Sequence, residues 1–318
     1  MNWEREVELC PEIGALNYNN VAKFIAEKVF RSNADMAEIL RRRYEQMVKN
    51  FGSVKYDDPL WNLQLNSGGV AQNVIDNKRD ARVAIGVEKF KMDYEPQVWN
   101  LFLTMGNFGH DLPVWIKKRG SNPKRIVVIV SQDPERANDV EKFLYLSTPF
   151  GIHCCNFRQN KGKRVVGILE RIISTGDAAA YLTDHNKFYL HGKNYVQKHL
   201  PDVFKTFSPI LKEEISNVRK GLPIVAIMTL GKNAAVSLIP RLGKDWHIEE
   251  NAIPYHQDTY TISEQENENV PTFSFVHPSN MYRSKCDGKD SFAKRLEKLG
   301  RNPREYFLKG VDDILQRN

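Results

Sequence analysis

Apolar residues recur along this chain with two different periods, and the change from one to the other divides it. In the first part they return every three or four positions. Val21, Phe24, Ile25 and Val29 form one such stripe and Met36, Ile39, Leu40, Tyr44 and Met47 another, the spacing of helices with one buried face. The second stripe runs out at Phe51-Gly52, where the glycine suits a helix C-cap. Beyond Pro123 the apolar residues come instead in short runs rich in β-branched side chains: Arg125 to Val130, Ala178 to Thr183, Pro223 to Leu230 and Thr272 to Val276. Such runs suit strands buried on both faces. Helical stretches, Val165 to Ile173 and Phe207 to Val218, lie between them. Strands alternating with helices predict a three-layer α/β/α arrangement around a central, mainly parallel, four-stranded sheet. The pattern therefore divides the chain into a helix-rich N-terminal region, residues 1–115, and an α/β domain, residues 116–318.

Each predicted strand stops at polar residues. The first ends in Ser131-Gln132-Asp133-Pro134, the second at Asp184, the third at Gly231 and the fourth at His277. Open α/β sheets bind ligands beyond the carboxyl ends of their strands, so residues far apart in sequence are expected to share one cleft there.

Composition narrows the partner and the class. Of 318 residues, 41% are hydrophobic and 27% charged, enough apolar surface for an ordinary core. No run of eighteen apolar residues occurs, and the opening MNWEREVELC carries charges where a secretion signal needs an apolar stretch, so a soluble cytoplasmic protein is expected, with no membrane partner. The cysteines Cys10, Cys154, Cys155 and Cys286 include no CxxC pair and read as reduced structural thiols, with no metal implied. Lys and Arg outnumber Asp and Glu by 46 to 39, a net charge of +7 that favours a polyanion. The basic runs Arg41 to Arg43, Lys117 to Arg119 and Lys161 to Arg164 are either phosphate contacts or solvated surface. Neither GxGxxG nor GxxxxGK[ST] follows a strand, and Gly231-Lys232-Asn233 lacks the upstream glycine of a phosphate loop, which argues against a nucleotide-dependent enzyme.

Three segments resemble a known family, in the family's order. VVIVSQDPER, residues 127–136, resembles the GQDPYH motif of uracil-DNA glycosylases; FVHPSNMYRSK, residues 275–285, resembles their HPSPLSVYRG loop; and IVAIMTLGKNAA, residues 224–235, is similar to their LVFLLWGSYAQ strand and turn. The resemblance covers roughly residues 123–300. It implies a uracil-DNA glycosylase-like fold and an enzyme that flips a base and hydrolyses its N-glycosidic bond, leaving an abasic site, without a cofactor. The partner is DNA, double-stranded with a flipped base or single-stranded, and the enzyme is expected to be a monomer. By resemblance, Asp133 orients or deprotonates the attacking water and favours the cationic sugar of the transition state, and His277 donates to the base carbonyl O2. Gln132 belongs with the base-binding residues. Phe150, in Thr148-Pro149-Phe150-Gly151, resembles an element that stacks on the flipped base. Ser279 and Asn280 would meet the backbone, with Arg283 and Lys285 adding charge neutralisation. Met281 aligns with the family's wedge leucine, although packing in the core is an equal reading of it. Iron–sulfur branches of the family are disfavoured by the positions of the cysteines.

Two departures bear on the substrate. The family has an asparagine at the end of the second strand, which both donates to and accepts from uracil. Here AAAYLTDHNKF sets Asp184 at that place, and a shift of two positions sets Asn186 there instead. An ionised carboxylate only accepts, so it repels uracil O4 and welcomes the exocyclic amine of cytosine; a protonated one also donates to cytosine N3. The second departure is Glu135, with Arg136 beside it, in place of the tyrosine that walls off C5 of the base. Together they point to a cytosine modified at C5, such as hydroxymethylcytosine or its glucosylated form in phage DNA, and to a role in anti-phage defence. The alternatives left open are uracil repair, with Asn186 as the reader, and a non-catalytic DNA-binding module.

Overall fold

A computed structural model of the chain describes residues 3–30, 34–51, 61–64, 73–76, 79–83, 108–132, 143–160, 162–188, 193–243, 246, 248, 255–263, 268–282 and 290–316. Its centre is a seven-stranded sheet built from β1 (Val7–Leu9), β2 (Val114–Lys118), β3 (Arg125–Ser131), β4 (Ala178–Asp184), β5 (Ile224–Leu230), β6 (His256–Ser263) and β7 (Glu268–Phe275). The strand order is β1-β2-β4-β3-β5-β7-β6. The four inner strands, β4, β3, β5 and β7, run parallel and contain the four apolar runs. Ile126 to Val130 of β3 and Ala178 to Leu182 of β4 are fully buried, as expected for strands covered on both faces. Each buried Val or Ile contributes roughly 1.5–3 kcal/mol by leaving water.

The sheet is wider than the sequence pattern predicts, because β1, β2 and β6 add antiparallel edges. Their composition hides them. β1 is three residues in a charged stretch, β2 is apolar for only half its length, and β6 (HQDTYTIS) is largely polar, as suits a strand with one wet side.

Helices flank the sheet. α3 (Lys163–Ile173) buries Val165, Ile168, Leu169, Ile172 and Ile173 against β4, and α7 (Tyr306–Leu315) lies along α3 and β5. α4 (Lys193–Gly221) connects β4 to β5, α5 (Lys232–Leu238) follows β5, and α6 (Phe292–Lys298) precedes α7. In the N-terminal part the two apolar stripes form α1 (Tyr18–Lys28) and α2 (Ala34–Asn50), which pack on each other. That part also supplies the strands Glu12–Ile13, Leu16–Asn17, Trp61–Gln64, Asn73–Asp76, Arg79–Val83 and Phe108–Asp111, so it is less purely helical than its periodicity suggests.

β2 crosses the point at which the pattern divides the chain, and it joins the two parts. β1 pairs with it on one side and β4 on the other. The Trp115 ring stacks on Tyr18 at 3.8 Å between centroids, and Tyr18 stacks on Tyr44 at 4.2 Å. The Tyr44 hydroxyl donates to Pro113 O at 2.8 Å. Among the described residues no helix is long and apolar enough to cross a membrane.

Candidate functional site

The polar residues begin where the buried apolar runs stop, so they line up along one edge of the sheet. β3 and β4 end level with each other, with Asp184 opposite Ser131. The pairing continues past the strands: His185 N donates to Ser131 O and Asn186 N to Gln132 O, both at 2.9 Å. Ser131 Oγ donates to Asp184 Oδ1. Asn233, in the first turn of α5, donates through Nδ2 to Gln132 Oε1 at 2.6 Å, tying the turn after β5 to the turn after β3.

Gly231 links this group to the next. Its φ of +103° lies where L side chains are strained, and its N–H donates to Phe275 O at 2.8 Å. A Cβ on Gly231 would stand 3.3 Å from His277 Cβ, so the glycine lets the two turns close on each other. His277 caps the single helical turn Pro278–Asn280: its Nδ1 accepts from Ser279 N at 3.3 Å and lies 2.7 Å from Ser279 Oγ. A backbone amide only donates, so the tautomer that meets this contact has Nδ1 unprotonated. The neutral ring therefore bears its hydrogen on Nε2 and offers it as a donor.

Phe150 lies against His277, centroids 5.9 Å apart and planes 29° from parallel. Its φ of +57° is unusual for a residue other than glycine, a conformation that persists only where the surroundings enforce it. They do so from several sides. Gly151 N donates to Thr148 O at 2.8 Å, and Thr148 Oγ1 is 2.9 Å from His153 Nδ1. Arg158 donates to Ile152 O at 2.7 Å and His153 O at 3.0 Å. Its guanidinium is covered in turn by the rings of Trp3 and Phe51 from the N-terminal part.

Beyond β4 the chain forms a buried polar cluster that the sequence reading missed. Lys187 Nζ donates to Thr183 Oγ1 at 2.9 Å and Asp184 O at 2.6 Å, and it forms a buried ion pair with Glu214. The Tyr181 hydroxyl donates to the other Glu214 oxygen at 2.8 Å. His185 is fully buried, with Nδ1 at 2.8 Å from Asn186 Oδ1 and Nε2 at 3.0 Å from Ser208 Oγ. Burial, the largest influence on it, holds its pKa down at about 4. The signal was Glu214, a charge on the apolar stripe Phe207, Leu211, Ile215 and Val218, together with four consecutive polar residues directly after a buried strand.

The site residues named from sequence fall into three groups. Gln132, Phe150, Asp184, Asn186, His277, Ser279 and Asn280 lie at the carboxyl edge; Asp184 and Asn186 are each only 2% exposed, whereas Ser279 and Asn280 are exposed. Asp133, Glu135, Arg283 and Lys285 lie outside the described residues. Met281 is corrected. It is 1% exposed and its carbonyl accepts from Ala293 N at 2.9 Å, whereas the neighbouring Tyr282 is exposed. Packing is therefore the role the structure gives Met281. Among the described residues no group of three or more His, Cys, Asp or Glu side chains is arranged to hold a metal. Cys10, Cys154 and Cys155 are buried and in no disulfide, and burial pushes the Cys10 thiol up to about 12. No curated protein matches the chain. The sequence model of the family described as "Uracil DNA glycosylase superfamily" matches residues 119–300.

Proposed function

Because this chain belongs to the uracil DNA glycosylase superfamily, its function is of the DNA glycosylase type, and we propose how its own residues carry that function out. A nucleotide turns out of the DNA and its base comes to lie against Phe150, beside His277. Water oxygen bonds to the sugar C1′ while the glycosidic bond breaks and its electron pair leaves with the base. Asp133 orients that water and takes its proton, and its charge favours the cationic sugar. His277 Nε2–H donates to the base carbonyl O2, where negative charge develops. The products are the free base and an abasic site. Ser279 and Asn280, with Arg283 and Lys285, hold the backbone on either side.

The observation that carries this reading is the state of His277: a turn-capping imidazole whose Nδ1 accepts from Ser279, which leaves Nε2 as a donor beside a stacking ring. Such a donor stabilises a departing base anion without first having to lose or gain a proton.

For the substrate, the carboxylate at the end of β4 supports a cytosine modified at C5, the bases being hydroxymethylcytosine and glucosyl-hydroxymethylcytosine, and a role in defence against phages whose DNA contains them. Asp184 accepts the exocyclic amine of cytosine and repels a carbonyl. The uracil reading has one observation in its favour, the pairing of the Asn186 backbone with Gln132. Against it, the Asn186 carbonyl is occupied by His185. Mass spectrometry of the bases freed from duplexes carrying uracil, cytosine, hydroxymethylcytosine or its glucoside separates the two. Modified cytosine is the expected product, and Asp184→Asn should lower its release about tenfold to a hundredfold, the worth of a charged hydrogen bond. Release of uracil alone would remove the cytosine assignment and leave the glycosylase-type function standing.

A further inference from the structure

We propose that Ser131 is a positioning residue for base selection: its hydroxyl fixes the Asp184 carboxylate before a nucleotide arrives, and so sets the preference for a base with an exocyclic amine. The two residues close neighbouring parallel strands, Ser131 the last of β3 and Asp184 the last of β4, and they stand directly opposite each other. Ser131 Oγ donates to Asp184 Oδ1 across that pairing. Both residues are buried, Ser131 at 4% exposure and Asp184 at 2%. Where water is excluded, a hydrogen bond to a charged group carries more weight than at the surface.

The main chain on both sides of the contact is tied. Lys187 Nζ donates to Asp184 O at 2.6 Å, which anchors the residue that reads the base. Ser131 O accepts from His185 N at 2.9 Å, which anchors the donor, and Gln132 O beyond it accepts from Asn186 N at 2.9 Å. With both backbones held, the Ser131 hydroxyl controls what remains, the rotation of the Asp184 carboxylate about its own side-chain bonds. A donor also suits the ionised form, since that form only accepts. A carboxylate already held at one oxygen loses less freedom when an amine binds to it, and ordering done in advance appears as faster reaction of the matching base. Serine at this place is a feature of the chain itself: the GQDPYH motif that residues 131–136 resemble opens with glycine, which has no hydroxyl.

This inference rests on the modified-cytosine reading, and the test keeps the two apart. Base release by the full chain is measured on duplexes carrying hydroxymethylcytosine and on the same duplexes carrying that base without its 4-amino group. Ser131→Ala and Ser131→Gly both remove the hydroxyl. Each should lower kcat/KM for hydroxymethylcytosine about tenfold, the worth of one buried hydrogen bond, and change that for the amine-free base less than about twofold. In an Asp184→Ala background, Ser131→Ala should cost no further release of hydroxymethylcytosine, since the group it positions is gone. Equal losses on the two bases, no loss on either, or additive losses in the double variant would overturn the role of Ser131 and leave the cytosine reading standing. Release of uracil alone by the unsubstituted chain, or no release from any DNA, would overturn the cytosine reading and this inference with it.

Discussion

Two imidazoles beyond the ends of the inner strands are held in different ways, and the difference can be measured. His277 is partly exposed and accepts at Nδ1 from the Ser279 backbone amide. His185 is fully buried between Asn186 and Ser208, where its cationic form is disfavoured and its pKa falls to about 4. In an unfolded chain the same ring takes up a proton near pH 6.5. Between those two values the unfolded state binds more protons than the folded one, so stability falls as the pH drops from about 6.5 to about 4 and levels off below. The loss assignable to this one group is about 3 kcal/mol over that window. Chemical denaturation at pH 7 and at pH 4.5 reads it directly. Replacing His185 with Gln should make the two midpoints approach each other; an unchanged gap would show that other groups set the acid sensitivity.

At the scale of elements, the left-handed turn at Phe150 is maintained from a distance, through Arg158. That guanidinium satisfies the carbonyls of Ile152 and His153 and is itself buried under Trp3 and Phe51. Replacing it with Met keeps the bulk and removes the donors to two buried carbonyls, at about 1–3 kcal/mol each. Arg158→Met is therefore expected to lower kcat/KM for base release as Phe150→Ala does. In the Phe150→Ala background it should cost little more activity, since the platform it positions is already gone. Additive losses would mean that Arg158 acts elsewhere. The cover over Arg158 was not legible in the sequence, because Trp3 and Phe51 lie more than a hundred positions from it. What was legible is what local pattern controls. The β-branched runs gave the four inner strands, the three- and four-residue spacing gave α1 and α2, and the polar stops gave the carboxyl edge with Asp184 and His277 on it. The edge strands escaped because a strand with a wet side has no continuous apolar run. For Met281 the sequence left wedge and core packing as equal readings, because an alignment pairs residues but does not say which of two neighbours faces solvent; its burial favours packing.

For the molecule as a whole, the question is whether the first part of the chain is an accessory to the catalytic sheet or a wall of it. β1 completes the hydrogen bonds of β2, with Val7, Glu8 and Leu9 opposite Lys118, Lys117 and Ile116. Tyr18 and Tyr44 are stacked in series on Trp115, and the Trp3 indole donates to Glu170 of α3 at 2.7 Å. A chain begun at Pro113 would expose the edge of β2 and the Trp115 ring together, an unpaired apolar strand of the kind that invites aggregation. Each large side chain returned to water costs roughly 1.5–3 kcal/mol, and a domain has only about 5–15 kcal/mol of net stability, so losing a few of these contacts removes most of it. The truncated chain should therefore fail to give a monomeric, cooperatively melting species by size exclusion and circular dichroism. The full chain with Tyr18→Ala should fold with a lowered melting temperature. A soluble truncation that melts cooperatively and still releases base would return residues 1–112 to the status of an appendage, and would place every determinant of catalysis from β2 onward.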